Sequence, residues 1–177
     1  STGYGIYLSA SSNNNATSNI INATGANADG IYILGNSDTN IYSLNNISKS
    51  GRDGIKILPS GANKPTSNII QNNIIANSTA SGVNITQGNN TIAENTIINS
   101  GVYGIFINST SDSINISNNF VNNSMSDGIY IGSDNNQIYS NNITFSRGDG
   151  IEIISGATND NITDNRVINS TQAGIVV

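Results

Sequence analysis

Apolar residues in this chain alternate with polar ones inside short segments, and the segments recur at a regular interval. The clearest copy is Asn141-Asn142-Ile143-Thr144-Phe145-Ser146-Arg147-Gly148-Asp149-Gly150-Ile151-Glu152-Ile153. In general form it reads Asn-x-[Ile/Val]-x-x-[Ser/Thr]-x-x-x-Gly-[Ile/Val]-x-[Ile/Val], usually with a further isoleucine three residues upstream. Seven asparagines anchor it: Asn19, Asn45, Asn73, Asn95, Asn119, Asn141 and Asn165. A glycine follows nine residues after each of the last six, at Gly54, Gly82, Gly104, Gly128, Gly150 and Gly174, while two extra residues separate Asn19 from Gly30.

Pairs such as Ile31-x-Ile33, Val83-x-Ile85 and Ile151-x-Ile153 predict short strands with one buried face, and no helical stripe of useful length competes with them. Aligned on their glycines, the copies have a period of 22 to 28 residues, which suits one coil of a solenoid. Three strands per coil follow. One surrounds Ile70, Ile92, Ile116, Ile138 or Ile162, one surrounds Ile47, Ile75, Ile97, Val121, Ile143 or Val167, and one is opened by the glycine. Spacing varies at the corner after that last strand, which is longest at Leu58–Ser67, where both prolines lie and no ladder amide is needed.

Stacking gives each recurrent residue a purpose. An asparagine at the same bend of every coil can hydrogen-bond to the next about 4.8 Å above it and satisfy bend groups that would otherwise be buried unpaired. The series Thr24, Ser50, Ser78, Ser100, Ser124, Ser146 and Ser170 predicts a second, small inward ladder. The glycines, preceded by aspartate at Asp29, Asp53, Asp127 and Asp149, predict a positive-φ bend before each strand. Seven coils at that spacing make a rod roughly 35 Å tall.

These frames, Asn-x-Ile-x-x-Ser and Asp-Gly-Ile-Tyr-Ile, resemble the repeat of the right-handed parallel β-helix of the pectin-lyase-like superfamily, over essentially the whole chain. The resemblance implies an all-β, single-stranded right-handed solenoid of about seven coils, three strands per coil, as one domain over 1–177. Similar repeats serve in polysaccharide lyases and hydrolases, in periplasmic proteins of copper-site maturation, and in surface proteins of methanogenic archaea. The composition is most similar to the last group.

That composition is 34 Asn and 31 Ile in 177 residues, with no Cys, His or Trp and 10% charged residues. Regularly spaced isoleucines argue for a folded chain. A net charge of −5 with six basic residues removes the footing for nucleic-acid binding and disfavours an anionic membrane surface. No apolar run reaches the length of a membrane span.

The absence of histidine argues against polygalacturonase-like and epimerase-like chemistry, and the chain is expected to be non-enzymatic. No cofactor is expected. The nearest approach to a Ca²⁺ site, as a pectate-lyase-like reading requires, is Asp127 with Asp149 on adjacent coils beside Arg147; Asp29 with Asp53 beside Arg52 repeats the pattern and favours ordinary turn chemistry. Arg147-Gly148-Asp149 spells an adhesion tripeptide that chance explains. The outward positions of the glycine-opened strands read Tyr7, Tyr32, Lys56, Asn84, Phe106, Tyr130, Glu152 and Val176. Of these Tyr7, Tyr32, Phe106 and Tyr130 form a candidate interaction face for sugars or a neighbouring rod.

Twelve Asn-x-Ser/Thr acceptors occur, at Asn15, Asn22, Asn46, Asn77, Asn84, Asn89, Asn108, Asn115, Asn122, Asn142, Asn161 and Asn169, so N-glycosylation is expected if the protein is exported. The chain begins and stops inside a repeat, at Gly3-Tyr4-Gly5-Ile6 and Gly174-Ile175-Val176-Val177. Uncapped coils predict either a longer β-helix or head-to-tail stacking of a homo-oligomer or polymer. The leading expectation is a cell-surface or extracellular structural protein assembling into a sheath, layer or fibre. The alternative is a module that binds or cleaves an acidic polysaccharide.

Overall fold

The computed structural model describes residues 3–177 as a three-sided parallel solenoid of about seven turns. Among these residues 22 short strands build three sheets, without a helix. Sheet A has eight strands, from Ile6–Ser9 to Ile175–Val176. Sheets B and C have seven each, from Asn15–Thr17 to Asn161–Thr163 and from Ile20–Asn22 to Arg166–Ile168. The chain visits A, B and C in turn, so each strand pairs with its counterparts one coil earlier and one coil later.

Register follows the apolar pattern. Ile55 pairs with Val83, Ile92 with Ile116 and Ile97 with Val121, so β-branched residues stack in columns. Sheet A sends two such residues inward per strand and sheets B and C one each, and nearly all are fully buried. Burial of each side chain contributes about 1.5–3 kcal/mol before entropy is counted. The sheet B column departs from this at Ala16 and Tyr42, the latter held between Ala16 and Ile70 with its hydroxyl buried and unpartnered.

The predicted asparagine column is present. The backbone N–H and side-chain amide of Asn95 both donate to Oδ1 of Asn119, at 2.9 and 3.0 Å, and Asn119 does the same to Asn141 at 2.9 and 3.0 Å. The second amide hydrogen of Asn119 goes to the carbonyl of Ile92, at 2.9 Å. The same relation links Asn19, Asn45, Asn73 and Asn165 into one ladder.

A second ladder, absent from the sequence reading, runs up the corner between sheets A and B through Asn14, Asn40, Asn68 and Asn90. Ile114 interrupts it: its backbone N–H still donates to Asn136 Oδ1, but it offers no amide of its own. Asp160 ends it, accepting from the Asn136 backbone and side chain at 2.7 and 2.9 Å while its other oxygen, Oδ2, is buried without a partner.

Two expectations are corrected. The glycines that open the sheet A strands are not in the left-handed region, where glycine occurs only at Gly35, Gly61 and Gly156 in the corners after sheet A. Left-handed bends are instead made by the residue just before each ladder position, such as Asn118 at φ 55° and Ser140 at φ 55°. A glycine is needed because a Cβ at Gly104 would lie 2.3 Å from Val121 Cγ1 and 2.5 Å from the carbonyl oxygen of Gly128, so the next coil occupies the space. Nor do the serines form a hydrogen-bonded ladder. The hydroxyls of Ser50, Ser78, Ser124, Ser146 and Ser170 are buried without partners, and Ser124 Oγ lies 3.0 Å from where the Gly104 Cβ would sit.

Candidate functional site

The stacking that aligns the core also aligns whatever points outward, so chemistry on this fold takes the form of columns. The outward column of sheet A has the expected order, with Tyr7 against Tyr32, Tyr32 against Lys56, Asn84 against Lys56 and Phe106, Phe106 against Tyr130, and Tyr130 against Glu152. Beside it stands a column that sequence reasoning did not treat as part of the face, the residues just before the glycines: Tyr4, Asp29, Asp53, Ser81, Tyr103, Asp127, Asp149 and Ala173. The signal was the fixed interval of three residues between the two columns.

Together the columns make two aromatic platforms. At one end Tyr4, Tyr7 and Tyr32 have ring centroids 4.7 to 5.6 Å apart. Farther along, Tyr103, Phe106 and Tyr130 lie 5.1 to 5.2 Å from one another, with Phe106 and Tyr130 inclined by 19°. Rings this close stack on or tilt against one another and stabilise each other by about 0.5–1.5 kcal/mol per pair. Three strand steps separate the Tyr32 and Phe106 rows, roughly 14 Å at the usual interstrand spacing.

Between the platforms is a polar segment. Lys56 Nζ lies 3.1 Å from Asp53 Oδ2, both side chains being nearly buried, and Asn84 Nδ2 donates to the same oxygen at 3.0 Å. With Arg52, Tyr103 and Phe106 they border an open groove of about 190 Å³. Burial raises the carboxyl pKa of Asp29, opposed by the hydrogen bond it accepts from the Asp53 backbone.

Beyond the second platform Asp127, Asp149 and Glu152 bring carboxylate oxygens within 4.8 Å of one another. Burial first, then the neighbouring charge of Asp127, raises the pKa of Glu152. Burial also raises that of Tyr103 and Tyr130, with the nearby carboxylates adding to the effect, so both phenols stay protonated at neutral pH. The aspartates have a structural use here. Asp127 Oδ1 accepts the backbone N–H of Asp149, and Asp149 Oδ1 that of Ala173, each at 2.7 Å. Asp29 and Asp53 repeat this toward Asp53 and Ser81. Sequence placed Asp127 and Asp149 together and missed Glu152. Arg147 is exposed while Asp149 is buried, so the tripeptide is not displayed as a unit.

Of the twelve glycosylation acceptors, Asn15, Asn22, Asn46, Asn77, Asn89, Asn161 and Asn169 are exposed. Asn84, Asn108, Asn115, Asn122 and Asn142 are only partly so, and the amide of Asn84 is held by Asp53.

Residues 29–177 match the family model described as "Right handed beta helix region". No curated protein sequence matches the chain. Among solved structures it is similar to a variant of the periplasmic alginate epimerase AlgG, with a TM-score of 0.76 and 16% identity over 98% of this chain and 46% of that one. It is also similar to the Dettilon tailspike protein, with a TM-score of 0.80 and 18% identity over 99% of this chain and 42% of that one. The chain thus spans a little under half the length of these structures, and identities this low establish the shared fold alone. The matches give no support to an archaeal origin.

Proposed function

The chain belongs to the right-handed β-helix family, and on that premise we propose that it is a non-catalytic, exported rod whose sheet A presents a polysaccharide-binding face. The observation that carries this reading is the pair of aromatic clusters in one line along the outward side of the sheet. Aromatic side chains with a polar tip, as at Tyr7, Tyr32, Tyr103 and Tyr130, offer a sugar both apolar contact and a hydrogen-bonding hydroxyl. Export is supported by the two structural neighbours, one periplasmic and one a tailspike. Retardation of the intact protein in polysaccharide-impregnated native gels tests the reading. Retardation is expected to be lost in Phe106→Ala and Tyr130→Ala and kept in Phe145→Ala, whose ring is exposed on another corner. Equal retardation of all four proteins, or none with any glycan, refutes it.

A second reading, structural assembly of rods, is favoured by one specific feature. Ile20, Leu44 and Ile74 are 87%, 60% and 49% exposed around a single corner of neighbouring coils, an apolar flank suited to side-by-side contact. Sedimentation velocity across a hundredfold concentration range, with Leu44→Lys as control, tests it: a monomer throughout excludes lateral association.

A further inference from the structure

We propose that the ligand of sheet A is an uncharged polysaccharide that lies along the rod axis and bridges both aromatic platforms, a conclusion that rests on the polysaccharide-binding reading above. Charge is the first argument. The two columns carry five carboxylates, Asp29, Asp53, Asp127, Asp149 and Glu152, against one cation, Lys56, with Arg52 at their border. Lys56 is already committed to Asp53 at 3.1 Å. A uronan would lay a row of like charges against this strip, which costs affinity and slows encounter. Alginate is named by one structural neighbour, so the charge balance here separates this chain from that protein's ligand.

The opposite choice, a polycation, finds few coordinating atoms. Asp127 and Asp149 are buried, and each spends Oδ1 on a backbone N–H of the next coil. Their field repels anions at a distance but offers little to a cation at contact. What the strip does offer is aromatic side chains at its two clusters and, between them, neutralised polar groups around the groove, Asn84 and the Lys56–Asp53 pair among them. Hydroxyl-rich, uncharged sugars match that sequence of surfaces.

Geometry supplies the bridging. Five strand steps separate the Tyr7 row from the Tyr130 row, about 24 Å at the usual interstrand spacing. An oligomer shorter than that span reaches one platform; a longer one engages both, and the second contact then forms at high effective concentration.

Isothermal titration of the intact protein against size-graded neutral oligosaccharides (β-glucan, xylan and mannan series), oligouronates and chitosan oligomers tests the proposal. Affinity for one neutral series is expected to rise at least tenfold once the oligomer is long enough to bridge. Tyr7→Ala, at a 52% exposed site, is expected to abolish that rise with length. Glu152→Gln is expected to change neutral-glycan affinity less than twofold. Stronger binding of oligouronates or chitosan than of every neutral series, still lost in Phe106→Ala, overturns the inference and leaves the binding face standing. A smooth length dependence untouched by Tyr7→Ala overturns bridging. Binding insensitive to Phe106→Ala, or no binding across the panel, removes the underlying reading itself.

Discussion

Substituting Asn119 by alanine removes one rung from the middle of the first ladder, and the structure states what is lost. Oδ1 of Asn119 accepts the backbone N–H and the side-chain amide of Asn95, while its own amide serves Asn141 Oδ1 and the carbonyl of Ile92. After truncation the Asn95 N–H is left without a partner in a corner where Asn95 and Asn119 are each 1% exposed, and Asn141 Oδ1 and the Ile92 carbonyl lose the Asn119 amide, while the Asn95 amide keeps the carbonyls of Ile70 and Ala93. A buried polar group stripped of its partner costs about 1–3 kcal/mol, so Asn119→Ala should cost about that much. Asn161, exposed in sheet B with its amide on Gln137 at 3.0 Å, is the control; its alanine variant should lose less than about 0.5 kcal/mol. Urea unfolding followed by far-ultraviolet circular dichroism measures both, with unchanged m-values as the condition for comparing midpoints. If Asn119→Ala costs under about 1 kcal/mol, or no more than Asn161→Ala, the ladder is not the stabilising element claimed for it.

Two further outcomes can be measured the same way. Gly104→Ala forces a methyl group to within 2.5 Å of the Gly128 carbonyl oxygen and should destabilise by several kcal/mol, whereas Gly61→Ala, in open space at φ 61°, should lose only about 1 kcal/mol; equal losses would restore the torsional explanation. Burial raises the pKa of Asp160 above its ordinary 3.8, so the folded state holds this proton more tightly than the unfolded chain does, and its contribution to stability falls as pH rises from about 4 through the folded value. Asp160→Asn supplies the missing amide at the end of the second ladder and should raise the melting temperature at neutral pH while flattening its pH dependence; a lower melting temperature there contradicts the assignment of Oδ2.

The main architecture was legible because one residue type met its own kind on every coil. Asn19 through Asn165, and the inward isoleucines of sheet A, kept strict spacing, and spacing is what stacking requires. The second ladder stands five residues before the first, at Asn14, Asn40, Asn68, Asn90 and Asn136, and the same arithmetic could have found it. Ile114 and Asp160 broke the run and hid it. The reason for the glycines was not legible, since close approach between coils and left-handed torsion select the same residue. Only coordinates separate them, here by showing Gly54 and Gly104 outside the left-handed region and pressed against the following coil. Of the aromatic residues on the outward side of sheet A, the sequence reading took in Tyr7, Tyr32, Phe106 and Tyr130. Tyr4 and Tyr103 were passed over because a residue before a turn glycine looks like a bend residue, although it projects beside the strand that follows.

The glycine column also has a mechanical consequence. Along the axis each glycine packs against the next coil with no room for even a Cβ, and the coils are held together by three parallel sheets at once. Compression meets that close packing and extension must break the sheets, so the rod is expected to act as a ruler whose outward marks keep their spacing under load.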